Sequence, residues 1–361
     1  MPDSTPFQLQ HLTSWLYDAL QRSYSELPYC LFKSGRALPA WHYLLEVTRR
    51  CNLRCRMCQY ISWLETEATA KQREGELTTD EWKRVLDQTG RLSFITFTGG
   101  EPLIRPDFLE LLAYASAKSR THYISNATML TETAATSSVA CAPRHLGGRG
   151  LNFIGVSLEG PGEIHDAIRQ QPGAFERSSD GIHILNQVRE HEGKACPLIH
   201  ITTVIQESNV KALEHIPEIV KSIGCDVLNL VTESRMHDLP GLGDRPYGAW
   251  KQEDISWPRI DRRVLEGALT RTEEAGRRHG VEIRWPRMPR SELLRYYDSN
   301  IDVREYTCRS PWNTLIIGRT GNAYPCWLKN VGNVRDHSLQ ELWNADETRS
   351  FRRACRNGLF A

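Results

Sequence analysis

Short apolar runs and amphipathic stretches alternate through the middle of the chain. The runs lie at 41–48, 94–98, 122–125, 153–157, 198–204 and 227–231. Between them, helical periodicity marks 78–90, 106–118, 178–191 and 209–224, and Thr78 with Glu81 forms a capping-box pattern at the start of the first. Strands that alternate with helices of this length imply βαβ units and a parallel sheet. Six such units with right-handed crossovers curl into an open or partial barrel. The fold class is therefore α/β, a partial (β/α)6 TIM-like barrel with a small C-terminal α+β domain. At the N-terminus Leu9, Leu12, Leu16 and Leu20 recur at helical spacing, which predicts an amphipathic helix, and Pro28 and Pro39 bracket a loop after it.

Beyond Thr232 the alternation loosens. Residues 233–250 read as a Gly- and Pro-rich loop, a helix is expected over about 260–279, and a short apolar run follows at 281–285. From Tyr306 the stretch 313–326 reads as a hairpin with Gly321-Asn322 as turn residues, and a last helix holds Leu339, Leu342 and Trp343. The divisions are a helical extension (1–40), the barrel (41–235), a linker with a helix (236–300) and a shortened terminal domain (301–361).

Composition narrows the function classes. The 361 residues carry 45 Lys and Arg against 44 Asp and Glu, so no global field attracts nucleic acid or an anionic membrane. No signal peptide and no apolar run of spanning length is present, which points to a cytoplasmic protein. Ten cysteines in that setting argue for metal or catalytic use over disulfides. Cys30, Cys141, Cys196 and Cys225 stand alone and read as small buried hydrophobes.

Three other cysteines do not stand alone. Cys51, Cys55 and Cys58 follow the first apolar run with C-x3-C-x2-C spacing and no fourth cysteine nearby. Structural zinc and ordinary iron–sulfur sites are closed by four ligands, so three suggest a centre with one open position. The motif Gly99-Gly100-Glu101-Pro102 follows the second run, Ser125 and Asn126 the third, Ser157 and Glu159 the fourth. In a parallel barrel the carboxyl ends of the strands share one face, where active sites form. These clusters therefore converge.

The cysteine motif followed by the GGEP motif resembles the radical S-adenosylmethionine (SAM) superfamily over about residues 41–235. The resemblance implies that Cys51, Cys55 and Cys58 hold a [4Fe–4S] cluster whose fourth iron is chelated by SAM. It implies reductive cleavage of SAM and hydrogen abstraction by a 5′-deoxyadenosyl radical, with flavodoxin or ferredoxin as reductant. Gly99, Gly100, Glu101 and Pro102 would hold the SAM amino group, and Ser125 and Asn126 its ribose or carboxylate. Ser157 and Arg169 would be further contacts. Glu159 stands where the family commonly has Asp. Met57 and Tyr60 would pack near the adenine.

Cys308 and Cys326, with Gly321 between them, resemble the SPASM or Twitch domain that carries auxiliary [4Fe–4S] clusters in this family. Only Cys355 follows, fewer cysteines than a full SPASM domain has, so one auxiliary cluster on Cys308, Cys326 and Cys355 is the expectation. A basic group, Arg271, Arg277, Arg278, His279, Arg284, Arg287 and Arg290, surrounds the linker helix and reads either as a substrate anion site or as a solvated face. The twelve histidines show no ligand spacing.

The expected reaction is dehydrogenation or epimerisation of a small carbohydrate, aminocyclitol or natural-product intermediate. An auxiliary cluster suits dehydrogenation as electron acceptor. Epimerisation needs a hydrogen donor, for which Cys196, Cys225, Cys308 and Cys355 are candidates. About 40 residues precede the first barrel strand, fewer than a leader-recognition domain occupies, so a small molecule is favoured over a ribosomally made peptide. An iron–sulfur carrier without SAM chemistry is the reading from another class.

Overall fold

The computed structural model describes residues 20, 23–144, 146–235, 256–302 and 305–356. Leu9, Leu12 and Leu16 lie outside them. Helix α1 covers 23–31 and runs through Pro28, whose carbonyl accepts from the Phe32 N–H at 2.9 Å, so the expected loop begins only after this helix.

Six parallel strands follow at the predicted runs: β1 (His42–Thr48), β2 (Phe94–Gly99), β3 (Arg120–Ser125), β4 (Gly150–Ser157), β5 (Leu198–Ile205) and β6 (Val227–Thr232). Their crossovers carry α2 (Ile61–Thr66), α3 (Thr79–Asp87), α4 (Phe108–Ser116), α5 (Glu132–Ala140), α6 (Gly162–Arg169), α7 (Ala174–His191) and α8 (Ile216–Ser222). The capping box at α3 forms as expected: Glu81 N–H donates to the Thr78 hydroxyl at 3.2 Å and Thr78 N–H to the Glu81 carboxylate at 2.7 Å.

The two faces of the sheet differ. Leu45, Val47, Ile95, Phe97, Tyr123, Ile154, Val156, Ile199 and Ile201 are buried on the helix-covered side. Phe97 meets Phe108 of α4 edge-on, and the Tyr123 hydroxyl bonds to Ser138 of α5. Each such side chain contributes roughly 1.5–3 kcal/mol by burial. On the other face, rings at successive strands stack across the sheet: His42, Phe94, His122, Phe153 and His200, with neighbouring centroids 4.3–6.1 Å apart. The Thr96 hydroxyl joins His42 Nε2 (2.9 Å) to His122 Nδ1 (3.2 Å). His42, Phe94, His122 and Phe153 are only half-buried, so this inner face is not filled as a closed barrel would be.

Two further segments add to the same sheet. After α9 (Arg262–His279), β7 (Glu282–Arg284) pairs parallel with β6, and α10 (Arg290–Tyr297) follows. Strand β8 (Thr314–Ile317) pairs parallel with β1, and β9 (Ala323–Tyr324) pairs antiparallel with β8. The sheet order is β7-β6-β5-β4-β3-β2-β1-β8-β9, open at both edges. The terminal hairpin thus extends the barrel sheet instead of standing apart from it. Its turn also differs from expectation: Gly321 N–H donates to the Gly318 carbonyl at 2.8 Å, so the tip is Gly318–Gly321, and Gly321 takes a positive φ of 91°. The chain ends in two helices, α11 (Leu339–Asn344), which buries Leu339, Leu342 and Trp343, and α12 (Asp346–Cys355). No helix among the described residues is long and apolar enough to cross a membrane.

Candidate metal centre

The cysteines sit on the loop that leaves the carboxyl end of β1. Turns shape it: Cys58 N–H donates to the Cys55 carbonyl (3.1 Å), and Ile61 N–H to that of Cys58 (3.0 Å). The loop is held at each thiol. Leu53 N–H approaches Cys51 Sγ at 3.4 Å, Tyr60 N–H approaches Cys58 Sγ at 3.4 Å, and the Arg169 guanidinium reaches Cys55 Sγ at 3.3 Å. Burial pushes the Cys51 thiol up to about 12 and also raises Cys58, so a metal must displace their protons to bind.

Gly99 and Gly100 seat this loop. A Cβ at Gly99, where φ is +133°, would stand 1.9 Å from the Thr48 carbonyl oxygen, and one at Gly100 would stand 2.2 Å from that of Arg50. Gly100 N–H donates to Thr48 (2.8 Å) and Glu101 N–H to Arg50 (2.9 Å). The diglycine is therefore required for close approach of the chain to its own cysteine loop.

The Glu101 side chain is completely buried and faces inward. It accepts from Leu103 N–H (3.1 Å), the Ser125 hydroxyl (2.9 Å) and Asn126 N–H (2.8 Å). Burial raises this carboxyl to about 7, against those three donors. Its side chain braces the strand ends. Pro102 opens the short turn behind it and is buried. Ser125 is likewise spent internally, donating to Glu101 and accepting from Ala127 N–H at 2.9 Å. Asn126 faces the cysteines: its amide donates to Asn52 (2.9 Å) and lies 3.9 Å from Cys51 Sγ.

At the end of β4, Ser157 is half-buried and makes no side-chain hydrogen bond among the described residues. Glu159 and Arg169 form a buried ion pair at 2.7 Å, with Glu159 also accepting from Val204 N–H at 2.9 Å. Met57 is half-buried and accepts from the Gln206 amide at 2.9 Å. Tyr60 lies under the Arg49 guanidinium (5.3 Å), and burial with the neighbouring Glu46 carboxylate holds its hydroxyl protonated. Tyr60 thus packs toward β1 and the terminal hairpin, where Arg319 N–H meets Glu46 at 3.3 Å.

Sequence reasoning missed Glu46, Asn52, Gln206 and Asn209. Glu46 had a signal, an acid inside an apolar strand; it is completely buried and pairs with Arg49 at 2.8 Å. The other three are polar residues whose partners are remote in sequence: Asn52 binds Thr128 (2.8 Å), and Asn209 binds the Glu159 carbonyl (2.9 Å).

The remaining cysteines separate. Cys196 and Cys225 precede β5 and β6, at the amino ends of the strands, opposite the cysteine loop. That position removes both as hydrogen donors beside this centre. Burial, with a smaller contribution from the nearby Cys308, pushes the Cys326 thiol up to about 11, and Cys355 is buried at the end of α12. The basic group is largely engaged in exposed ion pairs: Arg271 with Glu214, Arg277 and Arg290 with Glu273, and Arg284 with Glu282. Such pairs mark a solvated surface.

The donor set fits an iron–sulfur cluster better than zinc. Among the described residues no three His, Cys, Asp or Glu side chains converge on one ion position. A zinc site needs four donors about 2.0–2.3 Å from one point, whereas a cluster takes each thiolate at a separate iron. Beside the thiols, Arg169 Nε is buried without a protein acceptor, a donor left for a bound group.

Comparison with known proteins agrees. Residues 308–359 match an iron–sulfur cluster-binding domain, SPASM. The chain is similar to the AdoMet-dependent heme synthase of Nitratidesulfovibrio vulgaris, at 29% identity over 321 residues, 86% of this chain and 79% of that one. It is similar to the enzyme of the same name from Methanosarcina barkeri, at 27% identity over 330 residues, 87% and 84% of the two chains. Its fold matches the crystal structure of Streptococcus suis SuiB bound to precursor peptide SuiA, with a TM-score of 0.63 at 15% identity, covering 93% of this chain and 72% of that one. Residues 45–229, just over half of the chain, match the Radical SAM superfamily. The protein belongs to that superfamily, whose cofactors are a [4Fe–4S] cluster and S-adenosylmethionine, and it carries a SPASM iron–sulfur domain behind the barrel.

Proposed function

We propose that the protein cleaves S-adenosylmethionine at a [4Fe–4S] cluster held by Cys51, Cys55 and Cys58 and oxidises a small-molecule substrate, as a dehydrogenase does. The observation that carries this reading is the clasp of the cysteine loop by two neighbouring strand ends. Asn126 after β3 lies 3.9 Å from Cys51 Sγ, and Arg169 at the end of α6 donates to Cys55 Sγ at 3.3 Å. The bound cofactors supply a carbon-centred radical. The chain's own residues orient them: the three thiols anchor the cluster, and the uncommitted Ser157 hydroxyl at the end of β4 is free to receive SAM. Asn126 presents its amide toward Cys51 Sγ.

Oxidation is favoured over epimerisation because the hydrogen-donor candidates fall away. Cys196 and Cys225 lie at the far strand ends, and Cys355 is enclosed in the core. Cys308 and Cys326 are assigned, with Cys355 as the third candidate ligand, to the auxiliary cluster of the SPASM domain.

A tetrapyrrole substrate is the second reading. It is favoured by likeness to heme synthases over 86% of the chain. A maturase acting on a peptide is supported by fold likeness alone, to SuiB and to anSMEcpe with bound peptides. The test is anaerobic reconstitution with iron and sulfide, reduction by flavodoxin or ferredoxin, addition of SAM, and measurement of 5′-deoxyadenosine. Release of that product is expected, and its absence would leave an iron–sulfur carrier. Parallel incubations with an iron porphyrin carrying carboxylate side chains, with small alcohols and with peptides separate the substrate classes by which one is oxidised.

A further inference from the structure

Two of the three Arg169 guanidinium nitrogens are engaged within the protein, and only Nε is left for a bound group such as SAM. One terminal nitrogen donates to Cys55 Sγ at 3.3 Å and the other to Glu159 at 2.7 Å. All three residues are shut away from water, with Cys55 6%, Glu159 0% and Arg169 5% exposed. The arrangement is built from several directions. Arg169 is the last residue of α6, and Gln170 turns the chain away through a left-handed conformation (φ 55°). Arg56 N–H donates to the Ile168 carbonyl at 3.0 Å, which locks the cysteine loop onto the end of that helix. Glu159 is held by Val204 N–H on one oxygen and by Asn209 on its carbonyl, both at 2.9 Å.

We propose that Arg169 is a positioning residue that sets the reduction potential of the cluster through Cys55, and that Glu159 is the counter-charge limiting its effect. This rests on the reading that Cys55 ligates iron. Reduction adds one electron to the cluster and makes it more negative. A cationic donor on a ligand thiolate stabilises the reduced form and raises the potential. The effect is strong here because no water screens it. Glu159 draws the same guanidinium the other way, so it lowers the potential. The two charges therefore act with opposite sign, which a merely structural role would not produce.

The test is a redox titration of the reconstituted full-length protein, followed by electron paramagnetic resonance without SAM. The relevant signal is identified by its change when SAM is added. Arg169→Gln is expected to make reduction about tenfold harder, a midpoint about 59 mV lower for a one-electron couple. Glu159→Gln is expected to move the midpoint upward. Arg169→Lys keeps the charge without the two-pronged geometry and falls between wild type and Arg169→Gln, which serves if the glutamine variant does not fold. An unchanged midpoint in both Arg169 variants, with weaker SAM binding, would make Arg169 a SAM contact and overturn the proposal. So would shifts of the same sign in the Arg169 and Glu159 variants. A Cys55→Ala protein that keeps its SAM-responsive signal would instead defeat the underlying ligand assignment.

Discussion

The Glu101 carboxylate receives the backbone N–H of Asn126 at 2.8 Å, so the residue after β2 fixes the first step of the chain after β3. Asn126 in turn meets Asn52 and Cys51 on the loop after β1. Three consecutive strand ends are thereby tied to each other by one buried acid and one amide. Cys51 is tied into this lattice through Asn52 and Asn126.

Removing the acid should loosen it. In Glu101→Ala the donors of Leu103, Ser125 and Asn126 lose their shared acceptor in a buried place. Each unsatisfied buried donor costs about 1–3 kcal/mol, and a total near 3 kcal/mol is expected after relaxation. Urea unfolding of wild type and variant measures it; equal midpoints would show that the brace carries no weight.

The diglycine gives a sharper contrast. Gly100→Ala places a methyl group 2.2 Å from the Arg50 carbonyl oxygen, a backbone atom of the cysteine loop. The loop must move, and the iron bound after reconstitution should fall well below wild type. Gly267→Ala on α9 meets only the flexible end of Arg271, at 3.2 Å, and should keep full iron while gaining roughly 0.5–1 kcal/mol. Iron analysis with thermal unfolding checks both.

Iron counting also resolves the SPASM domain. Changing Cys51, Cys55 and Cys58 together to Ala should leave about four irons per chain, one [4Fe–4S] cluster's complement. Adding Cys308→Ala and Cys326→Ala should remove those as well. No residual iron in the first variant would mean that residues 308–359 bind no cluster of their own.

The stacked histidines predict the pH response. Burial holds His42 near 4 and His200 near 3, and keeps His122 well below its ordinary 6.5. Between those values and 6.5 the unfolded chain takes up protons that the folded chain refuses, so stability is lost as pH falls from about 6.5 toward about 4. Glu101 acts oppositely: raised from 4.5 to about 7, it withdraws stability as pH rises through that interval. Burial also lowers His165 to about 3 and raises Glu159, so four imidazoles stand against two carboxyls, and the net effect is loss on acidification. Replacing His200 with Phe, which keeps the stack on Phe153, should flatten the slope; urea midpoints at about pH 7 and about pH 5 report it.

Much of this was legible in the residues themselves. The six apolar runs mark β1–β6 because each has one face under helices and the other face half-open, which writes period two into the chain. Thr78 and Glu81 announced α3, since a capping box is local. Helix α5 was missed because its sequence, ETAATSSVA, is small and weakly patterned. Pro28 misled because only its own N–H is lost to the helix. The pairing of β8 with β1 joins Thr314 to His42, and nothing local in a four-residue strand declares so distant a partner. The same holds for the diglycine, whose crowding comes from Thr48 and Arg50, half a hundred residues earlier.

That pairing bears on how the molecule is made. Until Thr314–Ile317 leaves the ribosome, β1 has β2 on one side and bare N–H and C=O groups on the other. The nascent protein therefore carries an unprotected sheet margin for most of its synthesis, next to the loop destined to receive iron. Final closure is a late, long-range event, slow to nucleate and open to pairing with strangers. Chains that stop short of β8 should gather into aggregates, and iron insertion belongs after translation has finished.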